Sequence, residues 1–189
     1  MLQLDRRLAR IVSRTTEPML GQMRLAWWRD VLKQPLEQRP LGDAVLDGIG
    51  TLWSGHEESL IAMVDGWEIL IGEEQLGPDD VTAFADGRAA PFVSFAGDPG
   101  GAVRQRVAQA ARCWALVDVA AGVSNLAERA LFLDAAKACS TARGRLPGDL
   151  RGLAVLEALA RRALRNDGAP LMDGRGAALA ALRAAIFLT

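Results

Sequence analysis

Residues 15–33 read TTEPMLGQMRLAWWRDVLK, and this stretch predicts an amphipathic helix with a well-defined start. A threonine hydroxyl can cap free amides where a helix begins, and Glu17 and Pro18 both suit the first turn. Apolar side chains then recur at three- and four-residue steps, the spacing of one helix face. This apolar stripe consists of Leu20, Met23, Trp27 and Val31, and Trp28 broadens it. The helix is predicted to run to Lys33, because Pro35 and Pro40 mark a connector.

On both sides of this stretch the chain shows the same helical spacing. Before it, Leu4, Leu8 and Ile11 share a face, while the arginines lie largely elsewhere. After it, Gly, Pro, Ser and Asn residues separate further predicted helices. These cover residues 43–53, 57–71, 78–95, 101–123, 126–142 and 150–165, followed by an alanine-rich helix with Leu179, Leu182 and Ile186 on its stripe. With no strand signal longer than 92–95 and no internal repeat, the sequence predicts one all-α domain over residues 1–189.

Composition narrows the classes of function. The net charge is −1 and the charged residues are interspersed, which argues against a nucleic-acid partner. Cys113 and Cys139 form no CxxC pair and have no clustered histidine, so buried, reduced thiols are expected. No uncharged apolar run reaches the roughly 18 residues that a bilayer-spanning helix needs. We therefore expect a soluble, cytoplasmic protein, and peripheral membrane contact stays open.

Residues 17–30, EPMLGQMRLAWWRD, closely resemble the segment EPxLGxxRLxWWRD of squalene/phytoene synthase-like proteins. The resemblance continues more weakly through residues 64–68, 84–88 and 114–118, and faintly through 150–156. The segment is also similar to the version in the branch that includes proteins acting in respiratory-complex assembly, where catalytic aspartates are commonly lost. The resemblance implies the isoprenoid-synthase-like (terpenoid synthase) helical bundle. Because the family carries a further helical segment ahead of the region matching residues 2–14, it also implies an N-terminally shortened form.

Active members of this family are prenyltransferases of isoprenoid biosynthesis, which join two prenyl diphosphates head to head. Two aspartate-rich motifs on facing helices hold Mg²⁺ there, because carboxylates four residues apart share a helix face and bind a hard cation. At the first position this chain offers residues 8–14, whose arginines can bind diphosphate directly but cannot bind magnesium. At the second position, Asp118 is followed four residues later by Gly122. Neither motif is intact, so we predict no metal ligand, and Mg²⁺ is expected as a cofactor only if the protein is catalytically active.

Four residues form the predicted substrate-binding set, and no catalytic residue is assigned. They are Arg24, Trp28, Asp65 and Asp118. The aromatic face of Trp28 suits an isoprenoid chain and stabilises cationic character that develops along it, with packing in the core as the alternative. Arg24 and Arg29 either hold a phosphate or form surface ion pairs with acidic residues of their own helix. Asp65 and Asp118 are the carboxylates that an unconventional active site would use.

Two other patterns have structural interpretations. Asp43 and Asp47 spell DxxxD, but they follow the Trp-Trp helix instead of preceding it, so they indicate a solvated helix start. His56 is the only histidine and is interpreted as lying at a helix start. No Gly-x-Ser-x-Gly elbow supports serine hydrolase chemistry.

Three hypotheses about function follow from these residues. The leading one is a diverged family member that keeps a helical cavity for an isoprenoid or a lipid, without intact magnesium-diphosphate motifs. The second is an active prenyltransferase that condenses prenyl diphosphates head to head. The third is a non-catalytic assembly or interaction protein with a filled core. The corresponding partners are a prenyl diphosphate or lipid, a membrane surface, or another protein.

Overall fold

The computed structural model of the chain describes residues 1–72, 75–97 and 100–188. Within these ranges the protein is all-α, without any strand, as the sequence predicts. The α-helices are α1 (Leu2–Arg14), α2 (Pro18–Lys33), α3 (Ala44–Leu52), α4 (Glu57–Gly72), α5 (Pro78–Phe95), α6 (Gly101–Ala120), α7 (Leu126–Ser140), α8 (Arg151–Arg165) and α9 (Gly176–Phe187). Short 3-10 helices, Leu36–Gln38 and Gly148–Leu150, lie in two of the connections.

The helix ends show how far local signals decide the elements. The α5 bounds match the prediction at both ends, since Pro78 occupies the first turn and the Asp80 carboxylate accepts a hydrogen bond from the Gly77 amide. Asp43 caps α3, as interpreted, by accepting hydrogen bonds from the amides of Val45 and Leu46. His56 directly precedes α4, which confirms its interpretation as a helix-start residue.

The helices pack mostly with their neighbours in sequence, which places the centre of the molecule around α4, α5 and α6. Helix α2 lies on α4, α4 on α5, α5 on α6, and α6 in turn packs against α7 and α8. Helix α1 lies on α4 and α2, and α9 lies on α8. None of the helices among the described residues is both long and apolar enough to cross a bilayer.

Two glycines set the close crossing of α4 and α5. A Cβ atom on Gly87 would lie 2.5 Å from the carbonyl oxygen of Ala62 and 2.9 Å from the Cα of Gly66. A Cβ atom on Gly66 would lie 3.1 Å from the carbonyl oxygen of Phe84. Backbone meets backbone at this crossing, so the residues next to the glycines, Trp67 and Arg88, are brought into the same layer of the core.

Helix α2 buries a different face from the predicted stripe. Its buried residues are Gly21, Leu25, Trp28, Val31 and Leu32. Val31 is the member of the predicted stripe that is buried. The other three members, Leu20, Met23 and Trp27, are exposed. The sequence offers two apolar faces on α2, and the packing selects the one with Gly21, whose missing side chain admits Ile71 of α4. The exposed apolar stripe of α2 is defined here as Met19, Leu20, Met23 and Trp27.

A buried ion cluster ties α6 to α8. Glu157 is 1% exposed and accepts hydrogen bonds from both Nη atoms of Arg106, at 3.0 and 2.6 Å, and from Arg161 at 2.7 Å. The same arginines bind carbonyl oxygens of the α7–α8 connection, Gly144 and Ala142. This arrangement leaves the Glu157 charge compensated inside the fold.

Candidate functional site

The candidate site is an open cleft of about 450 Å³ between α1 and α2, here called the arginine cleft. It combines positively charged and aromatic side chains in one lining. Its residues are Arg7, Arg10, Ile11, Arg14, Arg24, Trp27 and Trp28. This combination can hold an anion through guanidinium groups and a hydrocarbon through ring faces.

The helical repeat of α1 explains why arginines line one side of the cleft. Leu4, Asp5 and Leu8 form the buried face of α1. Arg7, Arg10 and Arg14 follow one another at three- and four-residue steps, so they share a different face of the same helix. That face points toward α2, where Arg24 and the two tryptophans complete the lining. The arginines that stand where the family's first aspartate motif is expected therefore do line a cleft.

The arginines of the cleft differ in whether an acidic side chain pairs with them. Arg7 forms an ion pair with Asp43, which also caps α3. Partial burial by itself raises the pKa of Asp43, but the hydrogen bonds from Arg7 and from two backbone amides outweigh it and lower the pKa below its usual value. Asp43 is thus charged at neutral pH and neutralises Arg7. For Arg10, Arg14 and Arg24 the described part of the chain contains no ion-pair partner, so these three carry the net charge of the cleft.

The two adjacent tryptophans of α2 have different environments. Trp28 is 4% exposed and packs in the core, with the guanidinium carbon of Arg7 at 5.6 Å from its ring centre. Trp27 is 45% exposed, and the two rings meet edge to face with centres 5.1 Å apart. Trp28 therefore forms the floor of the cleft and Trp27 its solvent-facing rim, as expected for neighbours that point about 100° apart on a helix.

Asp65, a predicted substrate-binding residue, lies outside this cleft on α4. Its carboxylate accepts a hydrogen bond from Nε of Arg29 at 2.6 Å, and Glu68 one turn later binds the same guanidinium. Arg29 thus pairs with two residues of α4 and not with an acidic residue of its own helix, which corrects that expectation. The contact fixes α2 on α4, because one planar guanidinium bridges two carboxylates of one helix face.

Asp118, the other predicted carboxylate, belongs to a buried ion cluster around Arg88. Arg88 donates from Nε and Nη2 to the two oxygens of Asp5, each at 2.8 Å, from Nη1 to the Ala115 carbonyl oxygen at 2.9 Å, and from Nη2 to Asp118 at 2.6 Å. The Trp67 indole donates to Asp5 at 2.9 Å. Arg88 and Asp5 are almost fully buried, whereas the Asp118 side chain is 39% exposed. The cluster joins α1, α4, α5 and α6.

Aromatic faces enclose the Arg88 guanidinium. Its central carbon lies 4.2 Å from the ring centre of Trp114, 4.8 Å from that of Trp67 and 5.9 Å from that of Phe84. Burial by itself lowers the pKa of Arg88, but Asp5 and Asp118 more than offset that effect and raise the pKa above the usual arginine value. Arg88 is therefore a permanent cation, and it is buried among side chains of α1, α4, α5 and α6.

The structure brings together only two of the four predicted substrate-binding residues. Arg24 and Trp28 line the arginine cleft. Asp65 lines a separate cleft beside the α2–α3 connection, and Asp118 lies with Arg88. The sequence reasoning did not single out Asp5 or Arg88 as members of a shared cluster. A signal was present, because the three segments of weaker family resemblance, residues 64–68, 84–88 and 114–118, supply Trp67, Arg88, Trp114 and Asp118.

Magnesium, the cation that the family resemblance implies for an active enzyme, does not fit the carboxylates in this structure. Asp65 and Asp118 are each bonded to an arginine, and they lie in different surroundings on α4 and α6. In the described ranges, no three His, Cys, Asp or Glu side chains come together in a way that suits a metal ion. A cation at either aspartate would have to displace a guanidinium first.

Comparison of the chain with protein-family models, with curated proteins and with solved structures finds no match. The resemblance of residues 17–30 to squalene/phytoene synthases therefore stays a prediction from the sequence.

Proposed function

We propose that this protein is a diverged, non-catalytic relative of squalene/phytoene synthases that binds an isoprenoid or other lipid by its phosphate or diphosphate group. The observation that carries the proposal is the lining of the arginine cleft by Arg10, Arg14 and Arg24 beside Trp27 and Trp28. A guanidinium donates two parallel hydrogen bonds to phosphate oxygens, and the exposed ring of Trp27 contacts the hydrocarbon that follows the phosphate. The ligand lies in this open cleft between α1 and α2, and the centre of the helical bundle holds the buried Arg88 with Asp5 and Trp114.

Two contacts argue against head-to-head condensation as the activity. The reaction needs facing carboxylates that hold magnesium against the departing diphosphate. Asp65 is bonded to Arg29 and Asp118 to Arg88, so neither carboxylate is free for this role. Binding without turnover is therefore the preferred form of the proposal.

Isothermal titration with farnesyl diphosphate tests the proposal, with farnesol and inorganic diphosphate as partial ligands. We expect farnesyl diphosphate to bind without magnesium, and Arg24→Ala to weaken binding roughly ten-fold or more, as for loss of a charged hydrogen bond. Arg151→Ala is the matched control, because Arg151 is an exposed arginine on α8, outside the cleft. Equal affinities of wild type and Arg24→Ala would refute the cleft as the site. Magnesium-dependent release of diphosphate would establish the prenyltransferase instead.

A non-catalytic interaction protein is the second candidate, and α9 supports it. Leu179, Leu182 and Ile186 are all at least 59% exposed and follow one another at three- and four-residue steps. Helix α9 buries Ala177 and Ala184 and so presents its larger apolar side chains outward. If this face is an interface, Leu182→Glu will remove an association that sedimentation detects, while farnesyl diphosphate will not bind.

A further inference from the structure

The exposed apolar stripe of α2 is large for a helix that is otherwise well packed. Met19 is 72% exposed, Met23 63%, and Leu20 and Trp27 45% each. The four side chains occupy about 100° of the helix circumference, on the side opposite to Leu25 and Leu32, which are buried. Helix α2 therefore has two apolar faces, of which one is buried in the core and the other is exposed to solvent.

This stripe is continuous with the arginine cleft. Trp27 belongs to both, because it is the last residue of the stripe and part of the cleft lining. Arg24 follows Met23 directly and borders the stripe on the side of the cleft, and Arg10 and Arg14 face it from α1. A row of apolar side chains thus lies beside three guanidiniums for which the described residues provide no ion-pair partner.

Two acidic residues, Glu17 just before α2 and Asp30 within it, are outnumbered by the three arginines. Glu17 precedes the stripe and Asp30 follows it, so they lie at its two ends. Arg24 directly follows Met23 and lies one turn before Trp27, whereas Asp30 lies one turn after Trp27, at the end of the stripe. Apolar side chains with cationic residues alongside, and a tryptophan at the boundary, are the features by which a helix lies in the headgroup region of an anionic bilayer.

We infer that the exposed face of α2 docks onto an anionic lipid surface, with Met19, Leu20, Met23 and Trp27 in the acyl-chain boundary and Arg10, Arg14 and Arg24 among the phosphates. The helix has 16 residues and is therefore about 24 Å long, so it contacts the surface lengthwise without crossing it. The inference rests on the proposed function for the ligand of the cleft. It adds the source of that ligand, a phosphate-bearing lipid taken directly from a membrane.

Co-sedimentation with vesicles tests the docking surface. We expect the protein to pellet with vesicles that contain roughly a third phosphatidylglycerol in phosphatidylcholine, and to stay in solution with phosphatidylcholine alone. Met23→Glu places a charge in the stripe and Arg24→Glu reverses a neighbouring one, so each lowers the bound fraction at least several-fold. Leu126→Glu is the matched control, since it puts the same charge on an exposed apolar side chain of α7, outside the stripe and the cleft. Circular dichroism verifies that each variant is folded.

The outcomes separate docking from ligand binding. Unchanged pelleting of Met23→Glu, equal loss of pelleting in Leu126→Glu, or binding to neutral and anionic vesicles alike would each overturn the inference. The affinity of Met23→Glu for farnesyl diphosphate is the second readout. It is expected to stay at the wild-type value, because Met23 is not part of the cleft lining. If farnesyl diphosphate fails to bind while wild type still pellets through α2, the proposed function fails and the docking surface stands. Inorganic diphosphate added to the vesicle assay distinguishes a free anion from a lipid headgroup as the ligand. It is not expected to release the protein from the vesicles, since a free anion cannot replace the apolar contact of the stripe.

Discussion

At the level of single residues, the buried Arg88 joins four helices in the interior. It compensates the charge of Asp5, and the two are bonded through both carboxylate oxygens. We expect Arg88→Met to lower the free energy of unfolding by about 3–5 kcal/mol, because Asp5 is left as an uncompensated buried charge. Urea unfolding measures this change.

The double variant Asp5→Leu with Arg88→Met supplies the control for this interpretation. When both charges are removed together, no buried charge is left without a partner. The double variant therefore lowers the free energy of unfolding by less than the sum of the two single variants. Strict additivity of the three free energies would mean that the two residues do not stabilise each other.

Cys113 is a second residue whose chemistry follows from its surroundings. It is fully buried, and burial, reinforced by the charge of Glu157, raises the pKa of its thiol to about 12. The thiolate is the reactive form, so the folded protein keeps Cys113 unreactive from pH 7 to pH 9. In a Cys139→Ser variant we expect a thiol reagent to modify no cysteine in buffer and one in concentrated urea. Rapid modification of the folded variant would contradict this expectation.

At the level of elements, the crossing of α4 and α5 is the contact least tolerant of added volume. Ala62 and Gly66 meet Gly87 through backbone atoms, which cannot turn aside as a side chain can. We expect Gly87→Ala to destabilise the protein by about 1–3 kcal/mol, the usual cost of overpacking. Thermal unfolding measures the effect.

Gly48→Ala is the matched control for Gly87→Ala, at a position where the added methyl group meets no neighbouring atom. Gly48 lies inside α3, and a Cβ atom there would meet no other atom within 4 Å. Alanine restricts the unfolded chain and favours the helix, so Gly48→Ala is expected to stabilise by about 0.5–1 kcal/mol. Similar effects of the two substitutions would show that the α4–α5 distance adjusts freely.

At the level of the whole molecule, stability is expected to differ between the centre and the C-terminal side. Helices α4, α5 and α6 each pack against several neighbours, whereas α9 packs mainly on α8 and buries only Ala177 and Ala184. Backbone amides of α9 will therefore exchange hydrogen through local opening, and those of α5 and α6 only through global unfolding. Hydrogen exchange resolved by residue tests this, and equal protection of α9 and α5 would contradict it.

Much of the helical content and most helix starts were predictable, because the signals are local, whereas α6 and α7 end two or three residues before the predicted positions. Pro78 and the Asp43 cap begin helices where the sequence indicates, since a first turn needs only nearby groups. The candidate site was predictable in part. The sequence predicted that arginines in residues 8–14 can bind diphosphate, and Arg10 and Arg14 of that segment lie with Arg24 and Trp28 in one cleft. Asp65 and Asp118 do not, because their arginine partners, Arg29 and Arg88, come from other helices.

The sequence by itself determined that this protein is helical, where most helices begin, and which side chains carry charge along each face. Only the tertiary structure decided which of two apolar faces of α2 is buried, and it turned Leu20, Met23 and Trp27 to solvent. It also decided that Arg88 pairs with Asp5, a residue 83 positions away in the chain. The physical reason is range: caps and periodicity act over a few residues, whereas burial and ion pairing depend on the helix that packs alongside.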